Sequence, residues 1–596
     1  MKNRTELKDF YAERIIKYEN LVKSYTSQSR IINLLRGVLF TVTAVSAIVV
    51  SNYSLAGMFA IIFVGIVLFA HFVIRANKVA RMLDYTKKIL DINKKERNCL
   101  DGYYADFDCG DEYKNPNHNY SSDLDIFGQN SLFQYVNRTT TRGGKDLLAR
   151  RFQKTFFDFN VIKSIQNAVC ALKNQTDIRQ DFAAYGPGAN KETQTDKLCK
   201  IDEEFKNPKL LKIFAIICCS ITLISITAAF AGFLNPIIGG SLFFMQITIS
   251  TIFSNKTRKL SSKVEVNSQT LSDYEMLFKT IERIENKPEY IQNLLNKASI
   301  PENPAQSINA MKKIAHGYEL RMNLVFIIFA QGLFLYDIFL NLKFEKYIKA
   351  HASQIAPMFN CIYECDYIFS LANLYFNNPQ YSMPQPVEEK FTLIARNAGH
   401  PLISPEKNIG NFINFSQRHY MLIITGANMA GKSTYLRTCG VNLILAGMGS
   451  AVCAESFEWS PVEIFTSIRA IDSVHDGQSY FYAELMRLKT LVNKLEAGET
   501  LFVIVDEMLR GTNSRDKHDG SEKFLRKILN YNCYGLFATH DVNIGTMEKD
   551  YPENIGAQCF EISFNENELI FDYTLRKGIS QNLNASYLME KYGIIE

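Results

Sequence analysis

The sequence predicts an α/β domain at the C-terminus, built on a largely parallel sheet, preceded by an all-α region that carries two long apolar hairpins. Three observations predict this. An apolar strand beginning at Met421 runs straight into Gly426-x-x-x-x-Gly431-Lys432-Ser433. A second strand, Leu501-Phe-Val-Ile-Val-Asp506-Glu507, is continuously apolar, as in a sheet covered on both faces, and ends in two carboxylates. Two runs, Gly37 to Ile74 and Ile213 to Asn255, contain no Asp, Glu, Lys or Arg across 38 and 43 residues.

The chemistry of the glycine loop accounts for its residue types. Gly426 and Gly431 let backbone N–H groups close around phosphate oxygens with no Cβ in the way. Met429 and Thr434 belong to the same cradle. Lys432 brings a positive charge to the terminal phosphates, Ser433 a hydroxyl to Mg²⁺, and the following helix presents its positive end. About seventy residues further on, Asp506 would hold Mg²⁺ through water and Glu507 would polarise the attacking water. In this order the two motifs predict a P-loop domain that binds ATP with Mg²⁺.

The residues around these motifs narrow the class. Thr425-Gly-Ala-Asn-Met-Ala-Gly-Lys-Ser-Thr434, Asp506-Glu-Met-Leu-Arg-Gly-Thr-Asn-Ser-Arg-Asp516 and Ala538-Thr-His-Asp541 closely resemble the ATPase domain of the MutS family of DNA mismatch-repair proteins. Upstream, Asp123-Leu-Asp-Ile-Phe-Gly-Gln-Asn-Ser-Leu-Phe-Gln-Tyr-Val-Asn-Arg-Thr-Thr-Thr-Arg-Gly-Gly-Lys-Asp-Leu-Leu148 looks like the start of that family's helical core. Ile165-Gln-Asn-Ala-Val169 fits the segment after it, and Ala395-Arg-Asn-Ala-Gly-His-Pro-Leu402 the approach to the ATPase. The resemblance covers roughly residues 121–208 and 255–596.

The resemblance implies an ABC-type ATPase fold, a homodimer around two ATPs, and DNA as partner. It assigns Asn428 a nucleotide contact and makes His540, after the apolar strand Tyr534–Thr539, the histidine that senses the γ-phosphate. Asp472-Ser-Val-His-Asp-Gly-Gln-Ser479-Tyr-Phe-Tyr-Ala-Glu484 is similar to the family's signature segment. There Ser479, at a helix N-terminus, would reach the ATP of the opposite subunit. An ordinary helix cap is the alternative for Ser479, and a strand-end histidine for His540. The chain departs from the family at Tyr480, commonly Thr, and at Ala427 and Ala430, often Pro and Gly. Ile409 and Phe412 are nearby candidates for the adenine contact.

The uncharged runs set the chain apart from mismatch-repair proteins. A single helix of 38 residues would be about 57 Å long, against a hydrocarbon core of about 30 Å, so each run fits a two-helix hairpin. The first turns at Ser51-Asn-Tyr-Ser-Leu-Ala-Gly57, the second at Gly232-Phe-Leu-Asn-Pro236. Lys23, Arg30 and Arg36 precede the first hairpin, and Arg75, Lys78 and Arg81 follow it. Lys206, Lys209 and Lys212 precede the second, and Lys256, Arg258 and Lys259 follow. Positive flanks and uncharged turns place the ends of both hairpins in the cytoplasm, giving an integral membrane protein with four spans, in contact with the lipid bilayer. A third apolar stretch, Met322 to Tyr336, is too short to span and is expected to be a buried core helix. A cleaved signal peptide is not expected, because about thirty mostly polar residues precede the first run.

Composition sets outer limits. With 596 residues, 47% hydrophobic, the chain can hold about four cores. A net charge of +5 is too mild to indicate nucleic-acid binding by itself. The 12 cysteines include no C-x-x-C pair, so neither a zinc site nor a disulfide framework is expected, and Cys361 and Cys365 are expected to be packing residues.

The expected organisation runs as follows: a cytoplasmic N-terminal helix over 1–30, the first hairpin over 31–74, and a membrane-proximal helix and linker over 75–120. A helical core over 121–208 is interrupted by the second hairpin over 209–254 and resumes as core and lever helices over 255–387. There Leu271, Tyr274, Leu277 and Ile281 recur at helical spacing. The ATPase domain occupies 388–596. Mismatch-repair members carry an N-terminal Phe-x-Glu wedge, and none occurs before residue 130. The chain is therefore expected to be a membrane-spanning MutS-related branch without that module, an ATPase coupled to mismatched or branched DNA. The alternative is a membrane ATPase acting on protein or membrane without DNA. An ABC transporter proper is disfavoured, since Leu-Ser-Gly-Gly-Gln is absent.

Overall fold

The computed structural model describes residues 3–188, 205, 207–263, 268–388, 391–415, 420–427, 429–468, 480–509, 512–565, 568–580 and 595. Two compact units are formed: residues 1–106 with 179–185, and residues 107–178 with 186–596.

The first unit is a pair of long antiparallel helices, α1 (Arg4–Ser51) and α2 (Leu55–Leu100). Asn3 opens α1 through a capping box with Glu6, and Ser54 caps α2 by accepting from the Gly57 N–H. At 1.5 Å per residue, each helix is about 70 Å long. The charged N-terminal helix thus continues without a break into the first apolar run. Within that run Gly65 lets the helices close up, since a Cβ there would lie 2.2 Å from Thr43 Cγ2. Outward-facing side chains such as Phe40, Ile48, Phe63 and Ile66 are exposed. The charged ends are held differently. The Arg14 guanidinium donates to Asn93 at 3.2 Å and to Gln180 at 2.8 Å, and Asn93 and Gln180 exchange amide hydrogen bonds at 3.0 Å.

In the second unit, α3 (Leu132–Val136), α4 (Arg142–Gln153), α5 (Phe159–Leu172) and the first turn of α6 (Thr176–Tyr185) form the first helical part. The hairpin α7 (Pro208–Phe230) and α8 (Pro236–Lys263) follows, then α9 (Ser268–Glu282), α10 (Glu289–Ala298), α11 (Pro304–Leu320), α12 (Leu324–Phe334) and the 42-residue α13 (Tyr336–Asn377). Leu271, Tyr274, Leu277 and Ile281 are fully buried on α9, and Cys361 and Cys365 on α13. Among the described residues, four helices are long and apolar enough to cross a membrane: α1, α2, α7 and the Pro236–Phe253 part of α8.

The stretch Met322 to Tyr336 is not the buried core helix expected from its sequence. It folds as α12, but only Ala330, Gln331 and Gly332 turn inward, while Leu324, Val325, Ile328, Phe329 and Phe334 are exposed. Its length suits a core helix, yet among the described residues it meets protein on one side only. There Gly332 takes the Phe243 ring of α8, which a Cβ would strike at 2.2 Å.

The C-terminal part is mixed α/β. A six-stranded sheet runs in the order β10-β9-β4-β8-β7-β6: β4 Met421–Gly426, β6 Glu463–Ser467, β7 Leu501–Asp506, β8 Cys533–Thr539, β9 Ile555–Asn565 and β10 Glu568–Lys577. All neighbours pair in parallel except β9 with β10. A smaller sheet of β1 (Gln385–Pro386), β2 (Leu393–Ala398), β3 (Asn411–Phe415) and β5 (Ser456–Trp459) has the order β1-β5-β2-β3. Helices α15 (Tyr480–Glu496) and α16 (Ser514–Ile528) cover one face of the large sheet through Leu488, Leu491, Leu525 and Ile528. On α14 (Lys432–Gly447), Gly440 lies against Leu124 and Ile504, joining the sheet to the helical part. The buried Asp123 carboxylate strengthens that junction by accepting from Thr466 Oγ1 at 2.6 Å and the Ile468 N–H at 3.1 Å.

Candidate active site

Strands β4, β7 and β8 are adjacent and parallel, and their register pairs Thr425 with Thr539 and Asp506 with Ala538. Their carboxyl ends therefore open side by side, where open α/β sheets place ligands. The loop after β4, the acids after β7 and the histidine after β8 meet there because of this register.

The loop is built on two glycines that only glycine suits. Gly426 has φ 145° and a Cβ on it would lie 2.6 Å from the Phe560 carbonyl; Gly431 has φ 111° and borders the Tyr573 ring. Helix α14 starts at Lys432, so its first turn, with Ser433 and Thr434, faces the cleft. The buried Lys432 ammonium donates to the Gly426 and Ala427 carbonyls at 2.6 and 2.9 Å and lies 3.4 Å from His540 Nδ1. Ser433 Oγ donates to Asp506 Oδ2 at 2.5 Å. His540 Nε2 stands 3.9 Å from one Glu507 oxygen, and Lys517 Nζ donates to the other at 2.7 Å.

The loop after β7 is strained. Glu507 (φ 52°) and Leu509 (φ 60°) are both left-handed, at about 1–3 kcal/mol each. The buried Glu484 carboxylate of α15 accepts from the Leu509 N–H at 2.7 Å and helps hold that turn. Electrostatics follow from the packing. Burial, and then the Lys432 ammonium, hold the His540 imidazole below the ordinary histidine range, with Glu507 opposing. Burial and Arg437 push His400 down to about 4.

These groups line a cleft of about 530 Å³, within the range of small-ligand sites. Of the expected residues, Met429, Gly431, Lys432, Ser433, Thr434, Asp506, Glu507 and His540 line it, and Gly426 closes its loop. Asn428 and Ser479 lie outside the described residues. Ile409 lines the cleft, whereas Phe412 serves as the carbonyl acceptor for the Tyr435 hydroxyl. Sequence reasoning gave no role to His400, Asn411 or Tyr573, which also line it. Asn411 holds the Tyr573 turn, donating to the Tyr573 carbonyl at 3.0 Å and accepting from the Leu575 N–H at 2.8 Å. Lys517 and His518, which pairs with Asp541 at 2.6 Å, follow directly on the recognised Asp506–Asp516 motif, and no spacing rule marks them.

The oxygen pair of Ser433 and Asp506 has the donor chemistry for Mg²⁺, a hard cation that takes one or two protein oxygens and completes its shell with phosphate and water. Among the described residues, no cluster of three His, Cys, Asp or Glu side chains is placed to hold a metal without such help.

Fold and site together define a mixed α/β domain whose glycine loop, acidic strand end and histidine converge on one cleft. Residues 422–591 match the family model of MutS domain V. The chain is 36% identical over 198 residues to the DNA mismatch repair protein MutS of Wolbachia pipientis wMel, and 32% identical over 269 residues to that of Clostridium perfringens. It is 29% identical over 246 residues to the human MutS protein homolog 4. These alignments cover 33%, 43% and 39% of this chain but only 22%, 28% and 26% of the relatives. The chain thus matches about a quarter of the length of these relatives. Over domain V it is similar to members of the MutS family.

Proposed function

We propose that this protein is a membrane-anchored, MutS-like ATPase that binds ATP and Mg²⁺ at the β4 loop, hydrolyses ATP as a homodimer, and couples turnover to DNA. The observation that carries the proposal is the meeting of Lys432, Ser433, Asp506, Glu507 and His540 at the ends of three neighbouring parallel strands. In this P-loop, ABC-type arrangement the backbone N–H groups from Gly426 to Ser433 and the α14 N-terminus receive the phosphates, and Lys432 turns from the loop carbonyls to the terminal phosphate. Ser433 and Asp506 would hold Mg²⁺, which would supply charge neutralisation at the phosphates. Glu507 polarises the attacking water, and His540, next to Lys432 and Glu507, responds to the γ-phosphate. The anchor is supported by the two hairpins, whose outward side chains remain apolar and exposed, and by their cationic flanks. On that topology the active site and both termini of each hairpin are cytoplasmic.

DNA enters this proposal through the mismatch-repair names of the relatives. A second reading, a membrane ATPase that remodels protein or lipid without DNA, is favoured by the two hairpins themselves. ATPase activity of the detergent-solubilised protein with homoduplex, mismatched and branched DNA separates the two. Stimulation by DNA is expected; identical turnover with and without each DNA would overturn the DNA coupling and leave the second reading.

A further inference from the structure

We propose that α12 is a third membrane contact, an apolar helix sunk into a single leaflet beside the second hairpin, entering and leaving on the cytoplasmic side. The proposal rests on the membrane reading of α7 and α8. Three observations carry it.

The first is the geometry of the ends. The Arg321 guanidinium, just before α12, pairs with the buried Asp337 carboxylate, just after it, at 2.7 Å. The Tyr336 hydroxyl also donates to the Gly317 carbonyl at 3.2 Å. The uncharged segment between them is therefore an excursion tied shut at its foot, which cannot cross a bilayer. The sharp exit agrees: Leu335 is left-handed (φ 45°) and the chain turns by 86° into α13. With 11 residues, α12 is about 16 Å long, roughly half the hydrocarbon thickness.

The second is which face is covered. Ala330, Gln331 and Gly332 are buried, and Phe243 of α8 packs on Gly332 and lies 6.2 Å from the Phe329 ring. Leu324, Val325 and Ile328 point away and are 72, 66 and 42% exposed, and Phe329, although its ring meets Phe243, is still 57% exposed. No charged side chain interrupts that face between Met322 and Tyr336. Water would leave this surface uncompensated, whereas acyl chains match it.

The third is continuity. The helix that α12 packs on through Phe243 also exposes apolar side chains, among them Phe244 and Ile252. A lipid environment for α8 would therefore reach α12 as well.

The test uses depth-dependent fluorescence quenching. Trp459 is the only tryptophan and is buried in the α/β part, so Trp459→Phe gives a dark full-length background. Phe329→Trp and, as a hairpin control, Ile221→Trp in the middle of α7 are each reconstituted into phosphatidylcholine vesicles with or without brominated acyl chains. Val325→Trp serves as a second probe if Phe329→Trp fails to fold. Both the α12 probe and the control are expected to lose emission in brominated vesicles. The α12 probe should respond more to bromines near the headgroup, and the control more to bromines near the bilayer centre. A quenched control with an α12 probe as bright as in unbrominated vesicles would overturn the inference and spare the hairpin. Disulfide cross-linking between two copies at Ile328→Cys, alongside an unquenched probe, would assign the face to a second copy instead. If neither site is quenched, the membrane reading of the hairpin fails and the inference falls with it.

Discussion

Lys517 on α16 donates to Glu507 Oε1 at 2.7 Å, so the carboxylate at the end of β7 is held through the oxygen that is not nearest His540. One oxygen faces an ammonium, and the other lies 3.9 Å from the imidazole. Glu507 is thus oriented by a residue ten positions further along the chain, and its aim does not depend on its own strained backbone alone.

Replacing Glu507 with Gln should preserve ATP binding and lower kcat by roughly 10²–10⁴-fold, because the water loses its polarising carboxylate while the phosphate cradle is untouched. Lys517→Gln should lower kcat by about ten- to a hundredfold, the worth of one charge-assisted hydrogen bond, with KM for ATP little changed. Lys517→Arg should restore most of the loss. Steady-state kinetics on all three variants provides the check, and a Lys517→Gln enzyme with the parental kcat would remove Lys517 from any positioning role.

The charge pattern around His540 makes a separate prediction. Burial, Lys432 and Lys517 lower its pKa while Glu507 and Asp506 raise it, and the balance holds the imidazole's protonation below the ordinary histidine range. Lys432→Met removes the nearest cation and should shift the titration upward; Glu507→Gln removes a carboxylate and should shift it downward. NMR titration of ¹³C-labelled histidines follows both. A His540 titration indifferent to Lys432 would break the proposed link between the loop lysine and the histidine. Lys432→Met should also weaken nucleotide binding itself, measured with a fluorescent ATP analogue.

The parts of this site that were legible in the sequence are those whose chemistry is local. A glycine loop needs Gly426 and Gly431 at fixed spacing, and a strand buried on both faces must be apolar up to Asp506. His540 follows a strand of the same kind. The places of His400 and Tyr573 depend instead on how distant elements close over the cleft, and one sequence holds no periodicity for that. The same limit explains α12. Its composition is that of a core helix, and only the packing on Phe243 reveals that one face is covered and the other bare. The amphipathic stripe of Leu271, Tyr274, Leu277 and Ile281 was legible because its burial follows directly from helical spacing.

Assembly can be tested with defective subunits. If Ser479 completes the site of the opposite subunit, a heterodimer of Ser479→Ala and Lys432→Ala chains contains one site with both an intact loop and an intact trans serine. Mixing the two inactive proteins should then restore part of the activity, at most about half if the sites fire independently. Heterodimers isolated by two different tags, yet wholly inactive, would argue that each site is complete within one chain.

Topology underlies the membrane assignment and can be read chemically. Tyr53 and Phe233 are exposed at the tips of the two hairpins, and Glu289 is exposed at the start of α10. With cationic residues flanking both hairpins and none in either turn, the tips should face away from the cytoplasm. In a background cleared of the 12 native cysteines, Tyr53→Cys and Phe233→Cys should react with an impermeant maleimide added to intact cells. Glu289→Cys should react only after the membrane is opened. Release of the protein by carbonate without detergent would mean that both apolar hairpins are covered by protein, and the anchor would be lost from the proposed function while the domain V chemistry stood unchanged.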